Sequence, residues 1–276
     1  MAQASPVRIG QGDPGAHGLH VGRRMKCVAF DEIKPKLLRQ QLANPRPALE
    51  ALAQAGYREI ETLRASHKTI LPLCKELGLK PVSGHFETGL VAGNEKAWFP
   101  QGKPYGWDQA IDEAKSAGLK FMVIPYVRPD ERGAADVYKK MAADLNKAGE
   151  QCNKAGLRLC YHNHAFEFGP SAGGGARAID ILMNETDAKN LGFEMDIFWV
   201  AIAGEDPIAW LKKLKGRVPL LHLKDRAPGA PKQFAENVSA ASFREVGYGN
   251  LDIKAVLAAA PGAGVEHYIV EQDQVA

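Results

Sequence analysis

A short sequence motif occurs four times along the chain and restricts the fold that the chain can adopt. A helix-like stretch ends at a glycine, and Tyr or Leu, a basic residue and a short strand-like run follow. Glycine suits this position because the residue after a helix often adopts the left-handed conformation. Each copy therefore predicts a helix that turns directly into a strand. The glycines are Gly56, Gly78, Gly118 and Gly156, and a weaker copy surrounds Gly192.

Helical periodicity alternates with short apolar runs along the rest of the chain, which indicates seven helices and eight strands. This alternation predicts an α/β fold, a (β/α)8 TIM barrel formed as one domain by residues 25–276. A doubly wound open sheet is the alternative, but no glycine-rich phosphate loop follows the first strand. The predicted strands are Met25–Phe30, Glu59–Leu63, Lys80–His85, Phe121–Pro125, Leu157–His162, Leu191–Asp196, Val218–Leu223 and His267–Glu271.

The two ends of the chain depart from this pattern. Residues 1–24 are rich in Gly, Pro, Ala and His, and we expect a flexible N-terminal segment there. Ala2-Gln3-Ala4 resembles the end of a signal-peptide cleavage site, which indicates a periplasmic or secreted protein, with the cytoplasm as the alternative. Only five residues follow Glu271. We therefore expect that the barrel lacks its last helix or that a partner, for example a second copy in a homo-oligomer, covers that edge.

Composition excludes several classes of function. The net charge of +3 and the absence of a long basic block argue against nucleic-acid binding. No apolar run reaches about 18 residues, so we expect no transmembrane helix. The four cysteines form no CxxC pair, which argues against a zinc ribbon or a redox motif.

Polar side chains collect where the predicted strands end, and the carboxyl ends of barrel strands are where TIM barrels place their active sites. The segment from Tyr161 to Phe168 is the most concentrated example, because it carries two histidines and a glutamate after one strand. Imidazole and carboxylate groups suit a divalent metal, acid/base catalysis, or both. The strand-end residues are Glu61, His85, His162, His164, Glu167, Glu194, Asp196, His222, Lys224, Asp225 and Glu271.

Four of these residues predict one metal site: Glu167, Asp196, His222 and Glu271. Charged groups that enter a core are costly unless they are paired or bind a metal. Carboxylates that converge on one barrel mouth would also repel one another without a cation. The mixed oxygen and nitrogen donors suit Mn²⁺, Mg²⁺, Co²⁺ or Zn²⁺, and the lack of thiolate argues against a structural zinc.

The remaining strand-end residues also have ordinary interpretations. Glu61 and Glu194 are interpreted as surface or salt-bridge residues. Lys224 and Asp225 form either part of the site or a solvated ion pair. His85 binds substrate or is a structural histidine.

In their order and spacing, several segments resemble the xylose isomerase-like TIM-barrel family of sugar and sugar-phosphate isomerases and epimerases, over roughly Met25 to Gln272. The most similar branch has a His-Asn-His-x-x-Glu-Phe segment, and its members resemble enzymes that act on 3-keto sugars and 3-keto-glycosides. Many are exported or paired with an oxidoreductase, which implies such a partner here. The segments are residues 55–61, 161–164, 196–199, 222–225 and 247–252, together with Glu271.

The resemblance implies one metal, with Mn²⁺ as the expected ion, held by a Glu, an Asp, a His and a Glu at strands five to eight. By position these are Glu167, Asp196, His222 and Glu271. Many members have Glu-Asn-His where this chain has residues 162–164 as His-Asn-His. The metal ligand from strand five is then Glu167, or His162 in its place.

The expected chemistry needs no organic cofactor. The metal polarises a sugar carbonyl as a Lewis acid, and a base removes the neighbouring proton to give an enediolate. His162 is the leading base, because an imidazole titrates near neutrality, and metal-bound Glu271 or Glu167 is the alternative. Lys224 would stabilise the developing oxyanion.

Substrate contacts are expected from the other aromatic and imidazole groups. His85 and His164 would contact substrate hydroxyls. Trp199 and Phe198 would stack on a sugar face, or one of the two packs in the core.

These features predict a metal-dependent isomerase or epimerase that acts on a sugar or keto-sugar. One alternative is a lyase or hydrolase that cleaves 3-keto-glycosides by β-elimination. Another is a non-catalytic sugar-binding subunit. A metal-dependent AP endonuclease-like enzyme shares the barrel, but the nearly balanced charge and the short ligand set argue against it.

Overall fold

A computed structural model describes residues 27–29, 44–93, 105–172 and 174–274, with side chains in all but the first range. Eight parallel strands form a closed barrel in which each strand pairs with its neighbours in sequence and the last pairs with the first. This confirms the predicted TIM barrel. The strands are β1 (Cys27–Ala29), β2 (Glu59–Leu63), β3 (Lys80–His85), β4 (Phe121–Ile124), β5 (Arg158–His162), β6 (Leu191–Asp196), β7 (Leu220–Leu223) and β8 (His267–Val270).

Helices follow the barrel strands on the outside. Two short strands, Asp225–Arg226 and Phe243–Arg244, form an antiparallel ribbon after β7. No helix in the described ranges is long and apolar enough to cross a membrane. The α-helices described are α1 (Arg46–Gln54), α2 (His67–Leu77), α3 (Thr88–Val91), α4 (Trp107–Ser116), α5 (Ala135–Lys154), α6 (Ala178–Glu185), α7 (Ile197–Ile202), α8 (Pro207–Lys213) and α9 (Ile253–Ala263).

The expectations for the chain ends are only partly covered by the structure. Residues 1–24, with the signal-peptide-like Ala2-Gln3-Ala4, lie outside the described residues. After β8, the described residues 271–274 form no helix.

The four repeated glycines have the left-handed conformation that the motif predicts. Their φ angles are 98°, 68°, 73° and 80° for Gly56, Gly78, Gly118 and Gly156. After each glycine, the next residue donates its backbone N–H to the carbonyl five positions back, at 2.9–3.1 Å. These contacts satisfy carbonyls left open at the helix end, so the glycine ends the helix and starts the strand.

Alternation along the strands divides the apolar residues into two layers. Phe193 and Met195 belong to the large core between the barrel and its helices. A separate apolar cluster, which includes Val123, Cys160 and Leu220, fills the barrel interior. Because side chains alternate between faces, the next inward positions toward the carboxyl ends are polar, and they form the site.

Candidate active site

A layer of buried polar side chains lies directly above the apolar cluster inside the barrel. None of these residues is more than 5% exposed. Seven of the eight are charged or imidazole side chains on β2, β3 and β5 to β7 or on the residue just after β7, and the eighth directly follows β8. They are Glu61, His85, His162, Glu194, Asp196, His222, Lys224 and Glu271.

Four of these residues form what we call the inner group: Glu61, His85, Glu194 and His222. Glu61 Oε1 lies 2.8 Å from His222 Nε2 and 3.0 Å from His85 Nε2. Glu194 Oε2 lies 3.4 Å from each of the same two nitrogens. All four ligand atoms lie within 4.8 Å of one another, close enough to share one metal ion.

Asp196, Glu271, Asp273 and Lys224 form what we call the outer group. Lys224 Nζ lies 3.1 Å from Asp196 Oδ2, 2.6 Å from Glu271 Oε2 and 2.6 Å from Asp273 Oδ1. The other ring nitrogen of His222, Nδ1, lies 2.7 Å from Glu271 Oε2 and 3.9 Å from Asp196 Oδ2. His222 therefore joins the two groups.

His162 stands beside both groups with its two ring nitrogens in different surroundings. Nδ1 lies 3.1 Å from Glu194 Oε2, which accepts its N–H in the tautomer that carries the proton on Nδ1. The Nε2 atom then carries the lone pair and lies 4.0 Å from Asp196 Oδ2. Burial, and after it His222, holds the pKa of His162 well below its ordinary value, so the imidazole is neutral.

The buried groups around His222 have pKa values shifted in different directions. Burial raises the pKa of Glu194, and the Glu61 carboxylate raises it further. For Glu61 burial acts in the same direction, but His85 and His222 hold its pKa well below the ordinary value. Burial alone would lower the pKa of His222, yet Glu194, Glu271 and Glu61 hold it well above that value. His222 is thus held as a cation by its acidic neighbours.

Several carboxylate oxygens in this layer nevertheless lack hydrogen-bond partners among the described residues. Glu61 Oε2, Glu194 Oε1 and Glu271 Oε1 are buried, and none has a hydrogen-bond partner among the residues that the structure describes. Buried acidic oxygens without partners are costly, and a divalent cation would offset both the desolvation and the mutual repulsion. The donors are imidazoles and carboxylates without thiolate, which suits Mn²⁺, Co²⁺ or Zn²⁺. The residues present therefore fit a divalent metal.

Glu167 lies away from this cluster. Its carboxylate accepts hydrogen bonds from the Tyr161 hydroxyl at 2.8 Å and from the His164 backbone N–H at 2.9 Å. Burial raises its pKa to about 7. The structure brings Asp196, His222 and Glu271 together but does not bring Glu167 to them, and its role as a metal ligand stays a prediction.

Two of the three predicted substrate-binding residues, His164 and Trp199, lie next to each other, whereas His85 belongs to the inner group. The ring of His164 lies 5.0 Å from that of Trp199 and 5.3 Å from that of Tyr126. His164 Nδ1 and Trp199 Nε1 are buried and lack a hydrogen-bond partner within the described part of the chain. Phe198 instead stacks on Phe243 at 4.3 Å, so Phe198 packs in the core and Trp199 faces the site.

Asp225 does not form a solvated ion pair with Lys224, so that interpretation is wrong. Both residues are buried. The Asp225 carboxylate accepts backbone N–H groups from Gly247, Gly249 and Leu251 at 2.9–3.1 Å. A Cβ at position 249 would lie 2.2 Å from Asp225 Oδ1, so this turn requires glycine. Asp225 thus anchors the loop that carries the 247–252 segment.

Glu61 and Glu194 are not surface residues, because both are fully buried in the inner group. The alternative interpretation as salt-bridge residues agrees with their contacts to His85 and His222. A signal for Glu194 was present in the sequence. It lies two residues before Asp196 in an apolar strand, so the two side chains share the inward face. Glu61 ends a strand in the same way.

A loop between β7 and α9 lies across the carboxyl end of the barrel. Glu236 accepts a hydrogen bond from the Tyr126 hydroxyl at 3.1 Å and pairs with Arg132, both after β4. On the opposite side, Gln274 donates to the Val238 carbonyl at 3.0 Å. This loop connects segments after β4 and β8 and helps to bury the polar layer.

Comparisons with known proteins agree with the barrel fold. The family described as "Xylose isomerase-like TIM barrel" matches residues 49–272. An inosose dehydratase from Clostridium beijerinckii is 31% identical, over 76% of this chain and 75% of that protein. An inosose dehydratase from Geobacillus thermodenitrificans is 33% identical over a shorter region, and the chain spans only 45% of its length.

Solved structures show the same fold. A sugar phosphate isomerase/epimerase from Parabacteroides distasonis superposes with a TM-score of 0.68 at 22% identity, over 94% of this chain and 91% of that one. The IOLI protein with a bound zinc atom gives a TM-score of 0.60 at 17% identity, over 90% and 88% of the two chains. The relatives support the prediction of an enzyme, and the matched region covers the barrel from α1 to the end of β8. The chain belongs to the xylose isomerase-like TIM-barrel family.

Proposed function

We propose that this protein is a divalent-cation-dependent lyase that acts on a keto-sugar or a keto-cyclitol. It would remove the proton next to the ketone and then eliminate the substituent on the following carbon. The observation that carries the proposal is the buried cluster of carboxylates and imidazoles at the barrel mouth, with a neutral His162 beside it. The inosose dehydratase relatives favour elimination over the isomerisation predicted from sequence.

The cation would be held by His222 and the carboxylates around it, drawn from Glu61, Glu194, Asp196 and Glu271. When bound, it supplies Lewis-acid polarisation of the substrate carbonyl. The zinc in the IOLI protein supports a divalent ion, and the donors here fit Mn²⁺ and Co²⁺ as well.

His162 is the proposed base. Its Nδ1–H is held by Glu194, so Nε2 presents a lone pair to the mouth. The C–H electron pair becomes the double bond of an enolate, and the proton moves to Nε2. The C–O bond on the next carbon then breaks, and the proton returns to the leaving oxygen, which departs as water or as an alcohol.

Lys224, His164 and Trp199 would contact the substrate. The Lys224 ammonium, held by Asp196 and Glu271, would donate a hydrogen bond to the oxygen that gains negative charge. His164 and Trp199 offer two ring nitrogens to substrate hydroxyls and a flat surface to a sugar ring. The loop between β7 and α9 would exclude water, which strengthens these contacts.

The test is to incubate cation-loaded protein with an inosose, a 3-keto-glucoside and a ketohexose in D₂O and to follow the products by NMR. We expect an unsaturated product that has lost the proton next to the ketone, and deuterium at that carbon in substrate that is reprotonated from the enolate. Deuterium uptake that gives an isomer would replace the lyase by the isomerase or epimerase. If none of these substrates takes up deuterium or gives an unsaturated product, proton abstraction is contradicted and the non-catalytic sugar-binding subunit is favoured. His162→Gln is the control for a background reaction.

A further inference from the structure

We propose that Asn163 is a positioning residue that fixes the carboxyl ends of β5 and β6 relative to each other. It would thereby hold His162, the proposed base, at the correct distance from a substrate bound beside Asp196. The inference rests on the proposed function for the reaction that is positioned. It goes beyond that function because it assigns a role to a side chain that is directed at the backbone of β6.

The side chain of Asn163 binds both backbone groups of one residue on the neighbouring strand. Its Oδ1 accepts the Asp196 backbone N–H at 3.1 Å, and its Nδ2 donates to the Asp196 backbone carbonyl at 3.4 Å. Asn163 is only 1% exposed. The backbone pairing of β5 with β6 ends earlier, at His162 and Glu194. The amide therefore satisfies backbone groups at the end of β6 that the backbone of β5 no longer reaches.

Asp196 transmits this contact to the start of α7. Its carboxylate Oδ1 accepts the backbone N–H groups of Phe198 and Trp199 at 2.8 and 3.0 Å, which caps the helix. Its other oxygen, Oδ2, lies 3.1 Å from Lys224 Nζ in the outer group. The backbone position of Asp196 therefore sets the place of a carboxylate oxygen in the site and of the helix turn that carries Trp199.

The two chain neighbours of Asn163 face these same groups from the side of β5. His162 Nε2 lies 4.0 Å from Asp196 Oδ2, and the ring of His164 lies 5.0 Å from that of Trp199. One amide thus fixes two pairs of side chains across the gap between β5 and β6. A displacement of about 1 Å between reacting groups can lower a rate by about 100-fold. Loss of the amide should therefore slow the reaction although no reacting group is removed.

Asn146 offers a matched control, because its amide makes the same pair of contacts away from the site. Its Nδ2 donates to the Glu185 backbone carbonyl at 2.9 Å, and its Oδ1 accepts the Asp187 backbone N–H at 2.7 Å. Asn146 lies in α5, on the outside of the barrel. Asn163→Ala and Asn146→Ala therefore each remove two hydrogen bonds from an asparagine side chain to the backbone, one pair at the site and one pair remote from it.

The experiment compares the two variants with the wild type in three measurements. Circular dichroism checks folding, and hydrogen exchange followed by mass spectrometry reports on the backbone amides of residues 196–199. Steady-state kinetics of Mn²⁺-loaded protein with an inosose gives kcat and KM separately. We expect Asn163→Ala to speed exchange over residues 196–199 and to lower kcat by about 10- to 100-fold, with a smaller change in KM. Asn146→Ala should leave exchange over residues 196–199, kcat and KM unchanged.

A folded Asn163→Ala variant with the kcat of the wild type would overturn the positioning role. An equal loss of kcat in both variants would also overturn it, because the loss would then follow from any such pair of hydrogen bonds in the barrel. If Asn163→Ala does not fold, Asn163→Ser, which leaves room for water at the two backbone groups, takes its place with the same expected results.

Failure of the proposed function gives a different result. Wild-type protein that converts neither an inosose, a 3-keto-glucoside nor a ketohexose would refute the lyase. Hydrogen exchange then decides on the role of Asn163 without any substrate. Faster exchange over residues 196–199 in Asn163→Ala would support the link between β5 and β6, and unchanged exchange would contradict it.

Discussion

Glu167 offers a test that does not depend on activity. Its carboxyl is fully buried, and burial raises its pKa from 4.5 to about 7. The native state therefore holds this proton more tightly than the unfolded chain does. The group contributes stability that is fully present below pH 4.5 and is lost as the pH rises through about 7. The difference of about 2.5 in pKa corresponds to about 3.4 kcal/mol when ionisation is complete.

Glu167→Gln removes this titration and keeps the shape of the side chain. The Gln carbonyl can accept the His164 N–H, and the amide can donate to the Tyr161 hydroxyl. As the pH rises from 4 to 8, we expect the free energy of unfolding of the variant to increase by about 3 kcal/mol relative to that of the wild type. The assay is urea unfolding of metal-free protein at several pH values, followed by circular dichroism. Glu185→Gln, at an exposed position in α6, is the matched control and should show no such trend.

If the difference in free energy of unfolding between the variant and the wild type does not change with pH, a raised pKa of Glu167 is refuted. A variant that becomes relatively less stable at alkaline pH would refute it as well, since that would mean that ionised Glu167 stabilises the fold. If added Mn²⁺ alone reverses the trend, Glu167 is a metal ligand after all.

Three further predictions concern the mouth of the barrel. His162→Gln should slow deuterium exchange into the substrate by about 100-fold or more, while Mn²⁺ affinity measured by calorimetry falls far less, because a base is lost and not a ligand. Lys224→Met should destabilise the protein by about 3–5 kcal/mol in urea unfolding, because Asp196 and Glu271 lose their buried counterion; unchanged stability would contradict the ion pairs. Because acidic neighbours raise the pKa of His222, a binding cation must displace its proton. Mn²⁺ affinity should therefore fall from pH 8 to pH 6, and calorimetry in two buffers should detect proton release; equal heats in both buffers would count against His222 as a ligand.

The barrel was predictable because its signals are local. Each repeated glycine ends a helix through its own backbone conformation and hydrogen bonds, and the strand that follows is a short run of neighbouring residues. Asp196, His222 and Glu271 were predictable for a similar reason. Each is a charged or imidazole group at the end of an apolar strand.

The inner group was not predictable in full because it depends on contacts across the closed barrel. Glu61 and Glu194 lie on β2 and β6 and meet only through His85 and His222. A register shift between β2 and β3 at Ile60/Glu61 helps to set which β3 residues face inward. No local pattern in the sequence marks that shift. Glu167 follows a strand by only five residues, but a short turn directs its carboxylate to Tyr161.

A bound divalent cation and His162 together are proposed to remove a proton next to a ketone. Its removal can be followed directly by NMR of an inosose in D₂O, as loss of the C–H signal next to the ketone, with the protein before chelation, after chelation and after addition of Mn²⁺. We predict loss of this signal that stops on chelation and resumes with Mn²⁺. Loss of the signal that continues in the chelated protein would contradict removal of the proton with the help of a bound cation.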